Sequence, residues 1–338
     1  IEKNLIDKIN ISSKKNSVNL FYNLNKNITG QNVNSKINNL KKKLNKLNID
    51  NIFISSPENV AWLLNLRGKD NPNSPIPNSK MILTKNKKIY FFSCPKKISK
   101  MKKVKEYKNI EYKRYNDFFN VIKNLKGKNF CIDKNTCSVS NEKIISNFFK
   151  IKQITDPCYK LKSIKNKIEI RNMINCHIND GVALTKFIHW IKKINKNDLT
   201  EYEAQNKLEK FRKLNKNYLF PSFDTIAGSG KNGAIVHYRA TKKNTKLIKK
   251  DEIFLCDSGG QYKYGTTDVT RTLCFSEQKK SIKKIFTKVL KGHIAVATVD
   301  LNKKRNGKLI DIEARKFLKK SSLDYSHGTG HGVGFFLN

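Results

Sequence analysis

The chain has 338 residues, 69 Lys and Arg against 27 Asp and Glu, a formal net charge of +42 at pH 7 and 38% hydrophobic residues. That length suits two domains of ordinary size, and no apolar run is long enough to span a bilayer. The excess charge taken alone would suggest an anionic partner, but the basic residues are mostly Lys, dispersed among Asn and Ile with few aromatics between them, the mark of an AT-rich coding sequence; only weak, salt-sensitive contact with nucleic acid is predicted.

Residues 1–34 are rich in Asn, Lys and Ser, with little periodicity beyond NLIDKIN. They read as a linker or the tail of a preceding domain. From Ser35 to about Thr155 helices and strands alternate. Ile37, Leu40, Leu44 and Leu47 line one helix face. IDNIFISS (49–56) is a strand and NVAWLLN (59–65) a short helix. Asn71–Asn78, with three prolines, is a loop. MILT (81–84) and KIYFFS (88–93) form a hairpin. IEYKRY (110–115), a helix over 117–125, NFCID (129–133) and a helix over 141–149 complete an α/β domain. Trp62 reads as a core residue and Arg67 as a surface one.

Lys162–Ile194 is a long helical stretch with a possible interruption near Gly181, and Phe187 and Trp190 are core positions. His177, His189 and His293 read as structural. Thr200 and Glu203 make a capping box for the helix that follows. Helices are predicted over about 279–299 and 309–320. Seven cysteines without a CxxC pair indicate reduced thiols in a reducing compartment, hence a cytoplasmic protein. Cys256 and Cys274 read as packing residues.

Residues 251–275, DEIFLCDSGGQYKYGTTDVTRTLCF, look like two strands joined by a turn at Gly259-Gly260. Asp257 ends the first run and Asp268 lies in the second, eleven positions on. A carboxylate beside a buried strand is costly unless hydrogen-bonded, paired or metal-bound. The pair either converges on cations or is hydrogen-bonded locally as turn aspartates. His237 in NGAIVHY, and His327 and His331 in DYSHGTGHGVGFFLN, favour a mixed Asp/His site. The four glycines 328, 330, 332 and 334 make that last stretch a loop.

NGAIVHY, DSGGQYKYGTTDVTRT and HGTGHGVGFFLN, in this order, resemble aminopeptidase P, the Xaa-Pro aminopeptidases of the pita-bread metallopeptidase family, and most closely its cytosolic eukaryotic form. SSPENVAWLLNLRG (55–68), FPSF (220–223) and LKGHIAV (290–296) extend the similarity from about Ser35 to the last residue. The resemblance implies an α/β (α+β) fold: a creatinase-like domain over 35–158, then a pita-bread metallopeptidase domain over 159–338. It implies two divalent ions, most often Mn²⁺, with Asp257, Asp268 and His331 as metal ligands. His237 and His327 would be catalytic, acting on the substrate by transition-state stabilisation, proton transfer or positioning. Xaa-Pro peptides would be cleaved by attack of a metal-bridging hydroxide, and the resemblance also implies a homodimer. HExxH is absent, which disfavours a zincin.

The family pattern continues past Asn338 with a further catalytic His and two Glu ligands. With Ile at position 1, the chain is expected to be a piece missing both ends and to have negligible peptidase activity by itself. Two other readings stay open: a non-catalytic pita-bread binding protein, and another enzyme on this fold such as a creatinase or methionine aminopeptidase.

Overall fold

A computed structural model describes residues 19–196, 198–304 and 306–337. The NLIDKIN stretch lies outside them. By contacts the chain divides into two units. One takes the residues up to Asn175 and those from Gly334 on; the other is Cys176–Val333. The division falls inside a helix, at 175/176.

In the first unit β1 (Tyr22–Asn23) pairs with β3 (Leu66–Arg67). A six-stranded mixed sheet is formed by β2 (Asn51–Ile54), β4 (Lys80–Thr84), β5 (Ile89–Phe92), β6 (Ile110–Lys113), β7 (Asn129–Ile132) and β8 (Lys150–Gln153), in the order β6-β5-β4-β2-β7-β8. β2 is buried throughout, and after Asn51 it is apolar, because both its faces are covered. Ile52 and Ile54 join one core with Leu40, Val60 and Met81. Phe53, pointing the other way, joins Ile82, Phe92, Phe118 and Phe130. The predicted MILT/KIYFFS hairpin is β4–β5. β8 was not expected; its Lys-rich KIKQ pattern suits an exposed edge strand.

The helices of this unit are α1 (Lys26–Thr29), α2 (Val33–Lys46), α3 (Pro57–Leu63), α4 (Phe118–Lys123), α5 (Val139–Ser146) and α6 (Pro157–Ser163). Asn32 caps α2 by accepting the Ser35 N–H at 2.8 Å. Val33, Ile37, Leu40 and Leu44 face the core, whereas Leu47 sits at the C-cap, 46% exposed. Residues 19–34, expected as linker, contribute Phe21 and Val33 to the core. Trp62 is buried as expected; Arg67 is not a surface residue but 1% exposed. Its guanidinium donates to the carbonyls of Ala61 (3.1 Å), Leu66 (2.8 Å), Phe335 (3.1 Å) and Phe336 (2.5 Å).

α7 (Lys167–Lys193) runs through Gly181 without interruption. A Cβ at Gly181 would meet nothing, so the glycine is no packing requirement. The break comes earlier, where Asn166 Oδ1 accepts the N–H groups of Ile168 and Glu169, each at 3.0 Å, and Glu169 returns a bond to the Asn166 N–H.

The second unit holds α8 (Glu201–Lys213), α9 (Lys280–Ala297) and α10 (Gly307–Lys319). Its strands are β9 (Tyr218–Pro221), β10 (Ile226–Ser229), β11 (Phe254–Ser258), β12 (Gly260–Tyr262), β13 (Gly265–Thr266) and β14 (Val269–Leu273), in two sheets, β10-β11-β14 and β13-β12-β9. Thr200 and Glu203 form the expected capping box of α8. Phe187, Ile191, Leu208, Phe254 and Cys256 make the core, with Trp190 packed partly against it. At its centre Arg212 meets Asp180 at 2.7 Å, both nearly fully buried. Asp180 also accepts the Tyr262 O–H at 2.7 Å, and Arg212 donates to Ser258 Oγ at 3.0 Å. This network ties α7, α8, β11 and β12 together, which is how a buried ion pair offsets its desolvation.

Candidate metal centre

Asp257 is the fourth residue of β11, and β14 pairs with it antiparallel. Asp257 stands opposite Thr270 and Ser258 opposite Val269. Asp268 immediately precedes β14. Side chains alternate with period two, so Asp268 shares a face with Thr270 and hence with Asp257, one diagonal step away.

The connection between them differs from the expected turn at Gly259-Gly260. The chain continues into β12, turns at Lys263-Tyr264 and returns as β13, so a second hairpin is inserted and pairs with β9. Gly259 serves a close approach instead: a Cβ there would run into Thr267 O and Ser222 Oγ. Ser222 Oγ donates to Thr267 O at 2.8 Å, and Thr267 Oγ1 accepts the Gly260 N–H at 2.9 Å. These bonds fix the crossing point beside both aspartates.

His331 Nε2 lies 3.3 Å from Asp268 Oδ2. Its Nδ1 is 2.8 Å from the Gly332 carbonyl. In the tautomer that donates Nδ1–H to that carbonyl, a neutral ring turns a lone pair toward a carboxylate oxygen. Such a contact is favourable only with a proton or a cation between the two atoms. Asp257 Oδ1 is buried and has no hydrogen-bond partner among the described residues. Asp268 is held above the usual carboxylate range by burial first and by Asp257 second, with His331 and His177 acting in the opposite sense. An orphaned buried carboxylate oxygen, two carboxylates in mutual repulsion and an imidazole turned toward one of them fit a divalent cation. Among the described residues, however, no group of three or more His, Cys, Asp or Glu side chains is gathered closely enough to hold an ion.

The other two histidines lie apart from this pair. His237 and His327 are exposed, and neither has a hydrogen bond or ion pair to Asp257, Asp268 or His331 among the described residues. His237 has φ +56°, the left-handed region. His327 Nδ1 is 2.8 Å from the Gly328 carbonyl, and its ring stacks on Tyr325 at 4.6 Å.

Arg315 of α10 carries the His327 loop. It pairs with Asp311 at 2.9 Å and Asp324 at 2.8 Å. It donates to the carbonyls of Tyr325 (2.6 Å) and His327 (2.9 Å) and lies 4.0 Å over the Tyr325 ring. Sequence reading missed Arg315; an Asp and an Arg four apart on a helix were the available signal. His177 was expected to be structural, yet it is exposed and acts electrostatically on Asp268. Cys256 is buried as expected, whereas Cys274 is exposed.

Residues 171–338 match the model of metallopeptidase family M24, and residues 13–169 match that of the creatinase/prolidase N-terminal domain. The chain is 39% identical over 327 residues to the probable Xaa-Pro aminopeptidase P of Paracoccidioides brasiliensis (strain Pb03), covering 91% of this chain and 53% of that protein. It is 36% identical over 356 residues to the probable Xaa-Pro aminopeptidase P of Podospora anserina, covering 100% and 52%. The chain thus spans about half the length of the curated relatives it matches. Among solved structures, the X-prolyl aminopeptidase of Caenorhabditis elegans, described as a cytosolic enzyme with a di-nuclear active site, superposes with a TM-score of 0.89 at 28% identity, over 100% of this chain and 56% of that one. The Xaa-Pro dipeptidase of Bacillus anthracis, at 22% identity and a TM-score of 0.70 over 90% of this chain and 82% of that one, shares the fold.

Proposed function

Because the chain belongs to metallopeptidase family M24, with a creatinase/prolidase N-terminal domain ahead of it, we propose that the protein is an aminopeptidase that removes the first residue from peptides with proline in second position. The observation that carries this reading is the 3.3 Å approach of His331 to Asp268, beside the orphaned oxygen of Asp257. Asp257, Asp268 and His331 would hold two divalent ions, with Mn²⁺ suited to this oxygen-rich donor set. When bound, such ions supply Lewis acidity and a lowered pKa for water.

Two further roles are open to side chains of this chain. His327, with Nδ1 committed to Gly328, presents Nε2 to a substrate as acceptor or, when protonated, donor. His237, exposed and with a left-handed backbone, would hydrogen-bond the substrate near the scissile carbonyl. Protonation of the departing proline nitrogen requires an acid, a role open to either ring. The metallopeptidase domain of this proposal is 159–338 and the creatinase-like domain 35–158. A cytoplasmic homodimer goes with the same reading. Among the described residues no helix is long and apolar enough to cross a membrane.

The test is hydrolysis of a panel of short peptides by the protein encoded by the whole transcript. Cleavage before proline in second position, abolished by chelator and restored by Mn²⁺, is expected. Equal cleavage of peptides with alanine in that position, or metal-independent cleavage, would overturn it. The lack of a three-ligand cluster among the described residues favours one second reading, a pita-bread protein that binds peptides without turnover. That reading predicts binding of the same peptides and no cleavage under any metal.

A further inference from the structure

Glu201, the first residue of α8, is fully buried. Among the described residues no basic side chain pairs with it; its carboxylate is compensated by four neutral donor groups. Oε1 accepts the Ser229 N–H at 2.7 Å and the Asn232 side-chain amide at 3.0 Å. Oε2 accepts the Tyr238 O–H at 2.7 Å, the Lys246 N–H at 3.0 Å and the same Asn232 amide at 3.1 Å. The helix N-terminus also favours a negative charge here. Burial and the Glu201 charge push the Tyr238 hydroxyl up to about 12, so it remains a donor.

These donors stand on both sides of His237. Ser229 ends β10, Asn232 lies in the 3-10 turn Gly230–Ala234, and Tyr238 follows His237 directly. The Asn232 amide also lies 2.9 Å from the Tyr238 hydroxyl. The chain between these two anchors is exposed, with Ile235 at 53% and Val236 at 54%. It must return within five residues to meet the same carboxylate, and at His237 it takes φ +56°. A non-glycine residue in this region persists where the surroundings over-determine it.

We propose that Glu201 is the positioning residue of His237: by holding Asn232 and Tyr238 on one buried carboxylate, it imposes the left-handed backbone that sets the direction of the His237 ring. This rests on the peptidase reading for what the ring does, and on geometry alone for how the ring is held.

Three variants test it: Glu201→Gln, Tyr238→Phe and Glu252→Gln. The last removes a neighbouring carboxylate that pairs with Lys246 and Ser229 Oγ but has no hydrogen bond to residues 232–238. The readout is the Cε1–Hε1 NMR signal of His237, its pH titration, and Mn²⁺ affinity. Glu201→Gln and Tyr238→Phe should move the His237 signal and its midpoint and leave Mn²⁺ affinity within about twofold; Glu252→Gln should leave the signal in place. In the whole protein, Tyr238→Phe should lower kcat on an Xaa-Pro peptide about tenfold with KM within about twofold. An unmoved His237 signal in Tyr238→Phe, or an equal shift in Glu252→Gln, overturns the proposal. Absence of turnover in the unmodified protein would refute the peptidase reading and leave the NMR arm to decide the positioning role.

Discussion

His331 Nε2 stands 3.3 Å from Asp268 Oδ2 across the gap between an exposed glycine-rich loop and the start of a strand. This contact joins residues 63 positions apart in the chain, and it defines the ends of the candidate metal centre.

Replacing Asp268 with Asn should separate stability from metal binding. Asp268 bears its charge against burial and against Asp257. With chelator present, Asp268→Asn should raise the melting temperature by about 2 °C. Mn²⁺ should then give no further rise, whereas it should stabilise the unmodified chain by binding the folded state. Calorimetric melts with and without metal check both points.

Arg212 should be among the costliest residues to truncate. Arg212→Ala leaves Asp180 as an uncompensated buried charge and removes the bond to Ser258, next to Asp257. A loss of about 3–5 kcal/mol is expected, read by urea unfolding. Replacing the Asp180–Arg212 pair together by apolar residues should cost less than Arg212→Ala alone.

Lys36 supplies a pH dependence of known sign. It is 2% exposed and donates to Trp62 O at 2.9 Å and Asn65 Oδ1 at 2.7 Å, with no carboxylate among those partners. Burial lowers its pKa to about 7, against a partial counteraction by Glu169. Between about pH 7 and the ordinary lysine value the unfolded chain holds the extra proton, so stability rises with pH across that window. Below it both states are protonated and the penalty is constant. The difference in unfolding free energy between the unmodified chain and Lys36→Met should change over this window and stay flat below about pH 6.

Gly259→Ala should damage the fold at the site. The added methyl meets Thr267 O and Ser222 Oγ, and the first of these is backbone. A cost of about 1–3 kcal/mol is expected from overpacking, with loss of Mn²⁺ binding. Gly181→Ala, in open space on a helix, should instead stabilise by about 0.5–1 kcal/mol.

Helix α9 exposes Ile285, Phe286, Val289, Leu290 and Ile294, each between 44% and 56%. An apolar face of that extent promotes association. Residues 1–338 expressed alone should self-associate at micromolar concentration, and Phe286→Glu with Leu290→Lys should shift them toward monomer in sedimentation velocity.

Local chemistry made much of the molecule legible in advance. Apolar runs placed β2, β4, β5, β7 and β11, strand-forming Val, Thr and Leu placed β14, and the Thr200/Glu203 capping box was readable because it needs only two residues three apart. Asp257, Asp268 and His331 could be singled out because carboxylates beside buried strands and histidines among glycines are chemically costly or conformationally special. Tertiary packing decided what local pattern cannot express. It buried Arg67, whose guanidinium donates to carbonyls brought from residues 335 and 336. It turned the expected single hairpin into two, because β12 pairs with β9, whose partner residues lie 39 to 44 positions upstream. It gave Glu201 and Arg315 their roles, since four donors around one carboxylate and two loop carbonyls around one guanidinium exist only after distant segments meet. Residue types and spacing carry the chemistry of a site, whereas convergence depends on long-range contacts that no local window contains.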